Sequence, residues 1–518
     1  VGLHGGGLDA VGASLAGAPG VVIGHNDRIA WGVTNVGPDV QDLFLEKVNP
    51  DNPNQVEFQG KWEDMQVVEE RIAVKGRTEP VIETVRITRH GPIMNAVTSK
   101  IGEEAPLMAF RWTALDSGKL FESVLQIDKA QNWEEFRSAL QDWSAPSQNF
   151  VYADVDGNIG YQMPGQIPIR AKGDGTVPVP GWTGEYEWTG TIPFDELPSV
   201  YNPEVGYVAT ANNQVVPDSY PYLISTEWAA PYRAARIVEL IEGKDKLSPD
   251  DFAAIQGDIH PVPTDSFVPL LGAIDLSGAS KEAQKAQEMM LAWDRKMDAD
   301  APEPLIYEMY VKKLAQETFG DELAASGDEA LTEDYLSSHR NDYTQTLERL
   351  AGEPTSAWWD DVRTSPVEGA NDIVTRAFEA AVSELQASYG QAPDRWQWGK
   401  PHFANFDHLV FAEVSPLDSI FNRSIPARGT NFTVNAASPA YDTLAMDAGA
   451  SYRHIVDLSN LANSRFIHTT GQSGLAFNPH YDDLIPLWQN VEYLPMRFDR
   501  AEIEKSAKDV LVLEPKSQ

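Results

Sequence analysis

The chain has 518 residues, of which 42% are hydrophobic and 23% are charged, a composition typical of a globular protein with a sizeable apolar core. It contains no cysteine, which excludes disulfides, thiolate nucleophiles and cysteine-based zinc sites. Its formal net charge of −37, spread along the sequence, disfavours nucleic-acid binding, because phosphate recognition needs clustered Lys and Arg.

The first part of the chain predicts short strands joined by turns. Residues 20–24 form a brief apolar run, and residues 83–87 alternate as a half-buried strand does. Residues 131–143 have helical spacing, with Trp133 and Phe136 on one apolar stripe. No window approaches the roughly 20 apolar residues that a membrane span needs, so no membrane contact is expected.

Residues 150–163 return to alternation around a turn sequence and predict a β-hairpin. The turn begins with Asp154-Val155-Asp156-Gly157-Asn158, which is superficially similar to the start of a calcium loop. An EF-hand needs a glutamate at its twelfth position. Counted from Asp154, that position is Gly165. A hairpin is therefore the better prediction.

From about residue 245 to 395 the pattern changes to amphipathic helix. Ser248 is a candidate N-cap, with proline next in the first turn. Helical spacing recurs in residues 281–297, 303–319 and 371–389. Short strands resume after about residue 430 and include residues 451–457. These patterns predict an α+β protein in which residues 1–518 form a single domain, with a mainly helical insertion at about 245–395.

Several blocks of the sequence resemble the penicillin acylase family. The first block is PGVVIGHNDRIAWGVTN at residues 19–35. Further blocks follow in the order in which the family has them, namely RHGPI at 89–93, YADVDGNIGY at 152–161, YNP at 201–203, NN at 212–213, GQSG at 471–474 and PHYDD at 479–483. Together they extend over essentially the whole chain.

The resemblance implies a four-layer αββα sandwich of the N-terminal nucleophile hydrolases. In that class a precursor cuts itself, and the new N-terminal Ser of the larger subunit attacks an amide while its own α-amine serves as the base. The family has this Ser a few tens of residues before the block that stands here at Gly2-Leu3-His4-Gly5. The expectation is a partial larger (beta) subunit, inactive alone, whose partner is a smaller alpha subunit from the same precursor.

Three catalytic residues are expected from the resemblance. The backbone N–H of Asn35 and the side-chain amide of Asn212 would donate to the oxyanion of the tetrahedral intermediate. Without the neighbouring match, Asn212 would be interpreted as a turn residue. Arg233 matches an arginine that supports the family's site electrostatically, and its alternative is an ordinary surface ion pair. An open groove is also expected beside Asn35, where the family's nucleophile strand lies.

The resemblance implies a structural calcium ion after the Asn35 strand, with the Gln41 carbonyl between two acidic ligands. Asp39 and Asp42 supply carboxylates and Gln41 a backbone carbonyl, and such hard oxygen ligands suit Ca²⁺. The resemblance takes one further ligand from the smaller subunit and another, acidic one after Asn212, for which Asp218 is only a candidate. Without the resemblance, two nearby acidic residues would usually be solvated charges.

The acyl pocket should be apolar, and Ile23, Val33 and Trp112 match positions near it in the family. Each is equally explicable as a core residue. Three histidines, His25, His90 and His480, lie too far apart in the sequence to form a helical zinc motif. We expect them to be hydrogen-bonded structural residues.

The predicted function is that of a penicillin-amidase-type hydrolase acting on N-acyl amides, with β-lactam side chains as promiscuous substrates. Acyl-homoserine lactone is the rival substrate within the family. The alternative from another class is a calcium-dependent binding protein without catalysis. By resemblance, the enzyme is expected to be periplasmic or secreted.

Overall fold

The structure, a computed structural model, describes residues 1–95, 97–98, 105–116, 118–325, 327 and 329–514. The chain divides into two compact units, Val1–Trp228 and Ala229–Gln518. The expectation of one domain with a helical insertion stays a prediction. Within the described ranges, none of the helices is long and apolar enough to cross a membrane.

The first unit is built mainly of strands. Its helices, α1 (Leu120–Ile127) and α2 (Trp133–Leu140), follow one another in the sequence. In chain order the strands are β1 (Gly2–Gly5), β2 (Leu8–Ala13), β3 (Ile23–His25), β4 (Ile29–Asn35), β5 (Gln41–Glu46), β6 (Val48–Asn49), β7 (Asn52–Phe58), β8 (Lys61–Asp64), β9 (Gln66–Ile72), β10 (Val81–Thr88), β11 (Gly91–Pro92), β12 (Leu107–Trp112), β13 (Gln148–Asp154), β14 (Ile159–Gln162), β15 (Pro168–Arg170), β16 (Val179–Pro180), β17 (Trp188–Thr191) and β18 (Ser199–Tyr201).

An antiparallel sheet, called the central sheet below, organises this unit. Its strand order is β1-β2-β3-β4-β13-β14-β18. β4 pairs with β13 from Ile29, opposite Asp154, to Asn35, opposite Gln148. Successive side chains of a strand point to opposite faces, so the two faces of β4 and β13 meet different surroundings.

Each face of the central sheet is covered by its own apolar core. On one face, Trp31 and Phe150 pack with residues of α1 and α2 such as Phe136. On the other face, Tyr161 and Met163 pack with loop residues. Burial on both faces holds β4 and β13 firmly, because a one-residue shift in register would exchange the two sets of side chains.

The local predictions for α2 and the hairpin are confirmed. Asn132 caps α2 by accepting a hydrogen bond from the backbone N–H of Glu135 at 2.9 Å, so the helix starts later than the predicted residue 131. β13 and β14 form the hairpin. Asp154 accepts hydrogen bonds from the backbone N–H groups of Asp156 and Asn158 in its turn.

The apolar run at residues 20–24 contributes less strand than predicted. Only its last two residues belong to β3. Gly20 has a φ of +85°, which bends the chain, and the backbone N–H of Val21 donates to the carboxylate of Asp128 at 3.0 Å. The Asn26 side chain then accepts from the backbone N–H of Ile29 at 2.8 Å, so this turn sets where β4 begins.

The second unit is mainly helical, as predicted for residues 245–395. Its helices are α3 (Tyr232–Glu242), α4 (Pro249–Gln256), α5 (Thr264–Phe267), α6 (Lys281–Ala292), α7 (Glu303–Ala325), α8 (Glu329–Ser338), α9 (Arg340–Ala351), α10 (Ala370–Tyr389), α11 (Asp418–Phe421), α12 (Ile485–Gln489) and α13 (Arg500–Ser506). Its strands are β19 (Phe403–Phe406), β20 (Arg423–Pro426), β21 (Ala437–Pro439), β22 (Met446–Gly449), β23 (Tyr452–Ile455), β24 (Arg465–His468) and β25 (Leu494–Pro495).

Helix boundaries in this unit follow local chemistry. Ser248 and Asp251 form a capping box at the start of α4, which confirms the predicted N-cap. The helix predicted over residues 281–297 ends at Ala292, because Trp293 is extended and Arg295 adopts a φ of +62°. α7 and α10 supply much of the core of this unit, including Tyr310 and Phe378.

Burial raises the pKa of Asp128 to about 6, which predicts a pH-dependent stability. The folded state holds a proton there that the unfolded chain, with an ordinary aspartate pKa of about 3.9, has lost. The contribution of Asp128 to stability is therefore complete below about pH 4 and is lost as the pH rises through about 6. Asp128→Asn should flatten the dependence of melting temperature on pH over that window.

The control for this measurement is Asp27→Asn, an exposed aspartate in the same region of the first unit. It should leave the pH profile of the wild type unchanged. Equal profiles for Asp128→Asn and the wild type between pH 4 and 7 would contradict the assignment to Asp128.

Candidate active site

The candidate site lies at the carboxyl end of β4. Trp31 is buried, but Thr34 and Asn35 are exposed. On its second side β4 pairs with β3 only opposite Ala30 and Trp31. Within the described part of the chain, β4 from Gly32 to Asn35 therefore pairs with β13 alone. This agrees with the groove expected beside Asn35.

Asn212 lies against this strand end. Its side-chain Nδ2 donates a hydrogen bond to the backbone carbonyl of Asn35 at 2.6 Å. Its backbone adopts a φ of +65°, a left-handed conformation that asparagine tolerates better than most residues. The Oδ1 of Asn213 accepts from the backbone N–H of Ala211 at 3.1 Å, which ties the turn together. The two residues predicted to bind the oxyanion are thus in contact, through the carbonyl of Asn35 and not through its N–H.

A third asparagine, not predicted from the sequence, completes this arrangement. Asn149 on β13 is fully buried. Its Nδ2 donates to the carbonyl of Asn35 at 3.0 Å and to Oγ1 of Thr34 at 3.1 Å. Its Oδ1 accepts from the hydroxyl of Tyr161 at 2.6 Å. The hydroxyl of Tyr161 therefore fixes the amide orientation that lets Asn149 hold the end of β4.

Asparagine suits this position chemically because its carboxamide both donates and accepts hydrogen bonds. An aspartate would offer only acceptors to the Asn35 carbonyl. What singles out Asn149 is its position opposite Thr34 in the central sheet. The sequence carries no signal for this position, because the strand register is known only from the structure.

Arg233 belongs to the second unit, where it lies at the start of α3. Burial lowers the pKa of its guanidinium from the ordinary arginine value. Because it lies in the other unit, its electrostatic role at the Asn35 site stays a prediction.

The predicted pocket residues do not share one surface. Gly24 pairs with Trp31, so side-chain alternation places Val33 on the face of Trp31 and Ile23 on the opposite face. Val33 packs against the core formed with α1 and α2. Trp112 is in another sheet, at the end of β12. Their role in acyl binding stays a prediction, and for Val33 a core contact is observed.

The expected calcium ligands are close together, but they contact nitrogen donors. Asp42 is buried at the start of β5, and both of its carboxylate oxygens accept hydrogen bonds from Arg170 at 2.8–3.1 Å. Asp39 also contacts Arg170, at 3.1 Å. Gln41 is exposed. Asp218 accepts a hydrogen bond from Gln214 at 3.1 Å. The calcium expectation stays a prediction.

The three singled-out histidines have ordinary hydrogen-bond partners. His25 contacts the carbonyl of Asn26, His480 contacts Asp483, and His90 bridges Glu46 and a second glutamate, with distances of 2.7–2.8 Å. Among the residues that the structure describes, no group of three or more His, Cys, Asp or Glu side chains is arranged to hold a metal ion.

Comparisons with known proteins agree on one family. A family model described as penicillin amidase matches residues 1–505. The acyl-homoserine lactone acylase QuiP of Pseudomonas syringae pv. tomato is 33% identical over 526 residues, covering 97% of this chain and 62% of that protein. Penicillin acylase 2 proenzyme of Pseudomonas sp. strain SE83 is 29% identical over 522 residues, covering 98% and 64%. The chain thus spans less than two thirds of these relatives' length.

A solved structure is also similar. It is a thermostable penicillin G acylase from Alcaligenes faecalis, with a TM-score of 0.76 at 25% identity, covering 100% of this chain and 94% of that chain. The likeness confirms the expected fold class, that of the N-terminal nucleophile hydrolases.

The contacts of Asn149 predict a local effect on the candidate site. In Asn149→Ala the carbonyl of Asn35 loses one donor and the hydroxyl of Tyr161 loses its acceptor, which should cost about 1–3 kcal/mol of stability. Hydrogen exchange, read by mass spectrometry on peptides covering β4, should accelerate at the end of the strand. Asn158→Ala, in the hairpin turn, is the matched control and should leave exchange at Asn35 unchanged. Unaltered exchange in Asn149→Ala would contradict the assignment.

Proposed function

The chain belongs to the penicillin amidase family, and from this premise we propose that it forms most of the nucleophile-bearing subunit of an N-acyl amide hydrolase. The observation that carries the proposal is the contact between Asn212 Nδ2 and the carbonyl of Asn35. Two residues 177 positions apart meet at the exposed end of a strand whose two faces are buried. Amide hydrolysis needs fixed hydrogen-bond donors at a position that the substrate carbonyl can reach.

The proposed reaction starts with a serine upstream of Val1. Its hydroxyl loses a proton to its own α-amine, whose ordinary pKa is about 7.7–8.0, and attacks the amide carbonyl. The C–N bond then breaks as the protonated amine returns its proton to the leaving nitrogen. Water hydrolyses the resulting acyl ester by the same path in reverse, which releases the acid and regenerates the serine.

The residues of this chain stabilise the charge that develops on the carbonyl oxygen. We assign the backbone N–H of Asn35 and Nδ2 of Asn212 as the two donors to that oxyanion. A preorganised donor of this kind is worth roughly 3–4 kcal/mol of transition-state stabilisation. The nucleophile strand would lie along the side of β4 on which Gly32 to Asn35 have no strand partner among the described residues. Arg233 is proposed to add positive potential.

Two substrate classes compete within the family. Some similar relatives are named penicillin acylases and others are named acyl-homoserine lactone acylases. Acyl-homoserine lactones share the amide that the proposed chemistry cleaves, and the relatives with that name include the 33% identical one. We propose an apolar N-acyl amide as the substrate, with a long-chain acyl-homoserine lactone as the first compound to assay.

The proposal includes a partner and a location. The smaller subunit from the same precursor would complete the acyl pocket, and the enzyme would be periplasmic or secreted. The rival proposal is a binding homologue without catalysis. It would retain the fold but would carry a residue other than Ser, Thr or Cys at the new N-terminus.

The test uses the protein produced from its complete gene. Intact mass should reveal two chains, the larger one starting with serine, and turnover of phenylacetyl amides and acyl-homoserine lactones should be measured together. Asn212→Ala should lower kcat by about 10²–10³-fold with intact processing, whereas Asn54→Ala on the surface should not. A single unprocessed chain without turnover, or an active Asn212→Ala enzyme, would contradict the proposal.

A further inference from the structure

A buried arginine occupies the centre of the acidic cluster that follows β4. Arg170 ends β15, and its side chain is only 4% exposed. Its Nη2 lies 2.8 Å from Oδ1 of Asp42 and 3.1 Å from Oδ1 of Asp39. Its Nε donates to Oδ2 of Asp42 at 2.9 Å. The guanidinium therefore binds Asp42 in a bidentate manner and reaches Asp39 with the same Nη2.

Another N–H group completes the surroundings of the Asp42 carboxylate. The indole Nε1 of Trp188 on β17 donates to Oδ2 of Asp42 at 2.5 Å. A Cβ at Gly175, whose φ is +84°, would lie 2.5 Å from Asp42 and 2.7 Å from Arg170. The cluster is therefore closely packed as well as hydrogen-bonded.

This donor set does not fit a calcium ion. Ca²⁺ takes six to eight oxygen ligands at about 2.3–2.6 Å. Both oxygens of Asp42 instead accept hydrogen bonds from nitrogen, and a metal that approached them would also face the positive charge of Arg170. Repulsion between two cations in a buried site is strong because screening by water is weak there.

The charge of Arg170 is secure in this position. Burial alone would lower the pKa of its guanidinium, but hydrogen bonds and charges of Asp42 and Asp39 raise it overall. The pKa of Asp39 is raised, chiefly by burial, while the charge of Arg170 opposes that shift. Arginine keeps its proton in proteins, so the guanidinium places a fixed positive charge beside both carboxylates.

We infer that Arg170 supplies, from within the chain, the positive charge that a bound cation would bring to Asp39 and Asp42, so that the first unit folds without calcium. The hydrogen bonds from Arg170 and Trp188 to Asp42 join β5 to β15 and β17. They also fix the segment that begins four residues after Asn35, so Arg170 is a positioning residue for the end of β4. The inference does not depend on the proposed amidase activity.

The test is calorimetric melting of the complete protein in EGTA, in millimolar CaCl2 and in MgCl2 at matched ionic strength. The wild type should melt at the same temperature in all three. Arg170→Met leaves two buried carboxylates without their cation, so it should melt several degrees lower. Calcium, more than magnesium, should restore part of that loss.

Lys172→Met is the matched control, because Lys172 lies two residues away in an exposed ion pair with Glu185 at 2.8 Å. It should neither lower the melting temperature appreciably nor create a response to calcium. Arg170→Lys keeps the charge without the bidentate geometry and should melt between the wild type and Arg170→Met. If Arg170→Met does not fold, the wild type and Arg170→Lys still decide the question.

The inference would be overturned by a wild type that loses stability in EGTA and regains it specifically with calcium. A single tight calcium site in titration calorimetry of the wild type, abolished by Asp42→Asn, would overturn it equally. Weak, nonspecific binding of cations to the acidic surface would shift the melting temperatures of the wild type and Lys172→Met equally. Magnesium would then have the same effect as calcium, which distinguishes this case from a specific calcium site.

Discussion

The candidate site depends on holding one backbone carbonyl, that of Asn35, at the open end of an otherwise buried strand. Asn149 approaches it from the neighbouring strand and Asn212 from a loop, with N···O distances of 3.0 and 2.6 Å. A strand end with one exposed side would ordinarily fray, since its backbone groups exchange with water. Side-chain amides oppose that fraying while leaving the outer side of β4 accessible, which is the combination that a fixed backbone donor requires.

The segment beyond Asn35 is anchored by an ionic interaction in addition to strand pairing. Arg170 is one of 40 basic residues in a chain with 77 acidic ones, and it is buried between two of the acids. Removing one partner of such a pair leaves an uncompensated buried charge, which is costly. The two anchors therefore use different interactions: neutral amides bind the carbonyl of Asn35 itself, and an ionic cluster holds the segment after it.

Local features of the fold were predictable from the sequence, and the family resemblance indicated Asn35 and Asn212, but the contacts of Asn149 and Arg170 were not predictable. Asn132 and Ser248 cap helices through their immediate neighbours, and the Asp154 turn closes a hairpin within five residues, so the sequence pattern contains the information. Asn149 and Arg170 act on residues 114 and 128 positions away. No local pattern indicates such partners, because they are set by strand register and by the packing of separate sheets.

The calcium expectation illustrates the same limit. Asp39 and Asp42 are carboxylates of the kind that bind calcium, and only the structure reveals that Arg170 donates to both of them and Trp188 to Asp42. Likewise, Ile23 and Val33 match positions near the acyl pocket in the family, yet alternation along β3 and β4 places them on opposite faces. Residue type and spacing identify candidates, whereas the arrangement of donors and faces decides what those candidates can bind.

A crystal structure of the complete protein with a tetrahedral acyl-phosphonate adduct would reveal whether Asn35 and Asn212 jointly bind an oxyanion. We expect an adduct oxygen about 2.7–3.1 Å from both the backbone nitrogen of Asn35 and Nδ2 of Asn212. An adduct whose oxygen points to solvent, or to donors elsewhere while Asn212 stays bound only to the Asn35 carbonyl, would contradict this expectation.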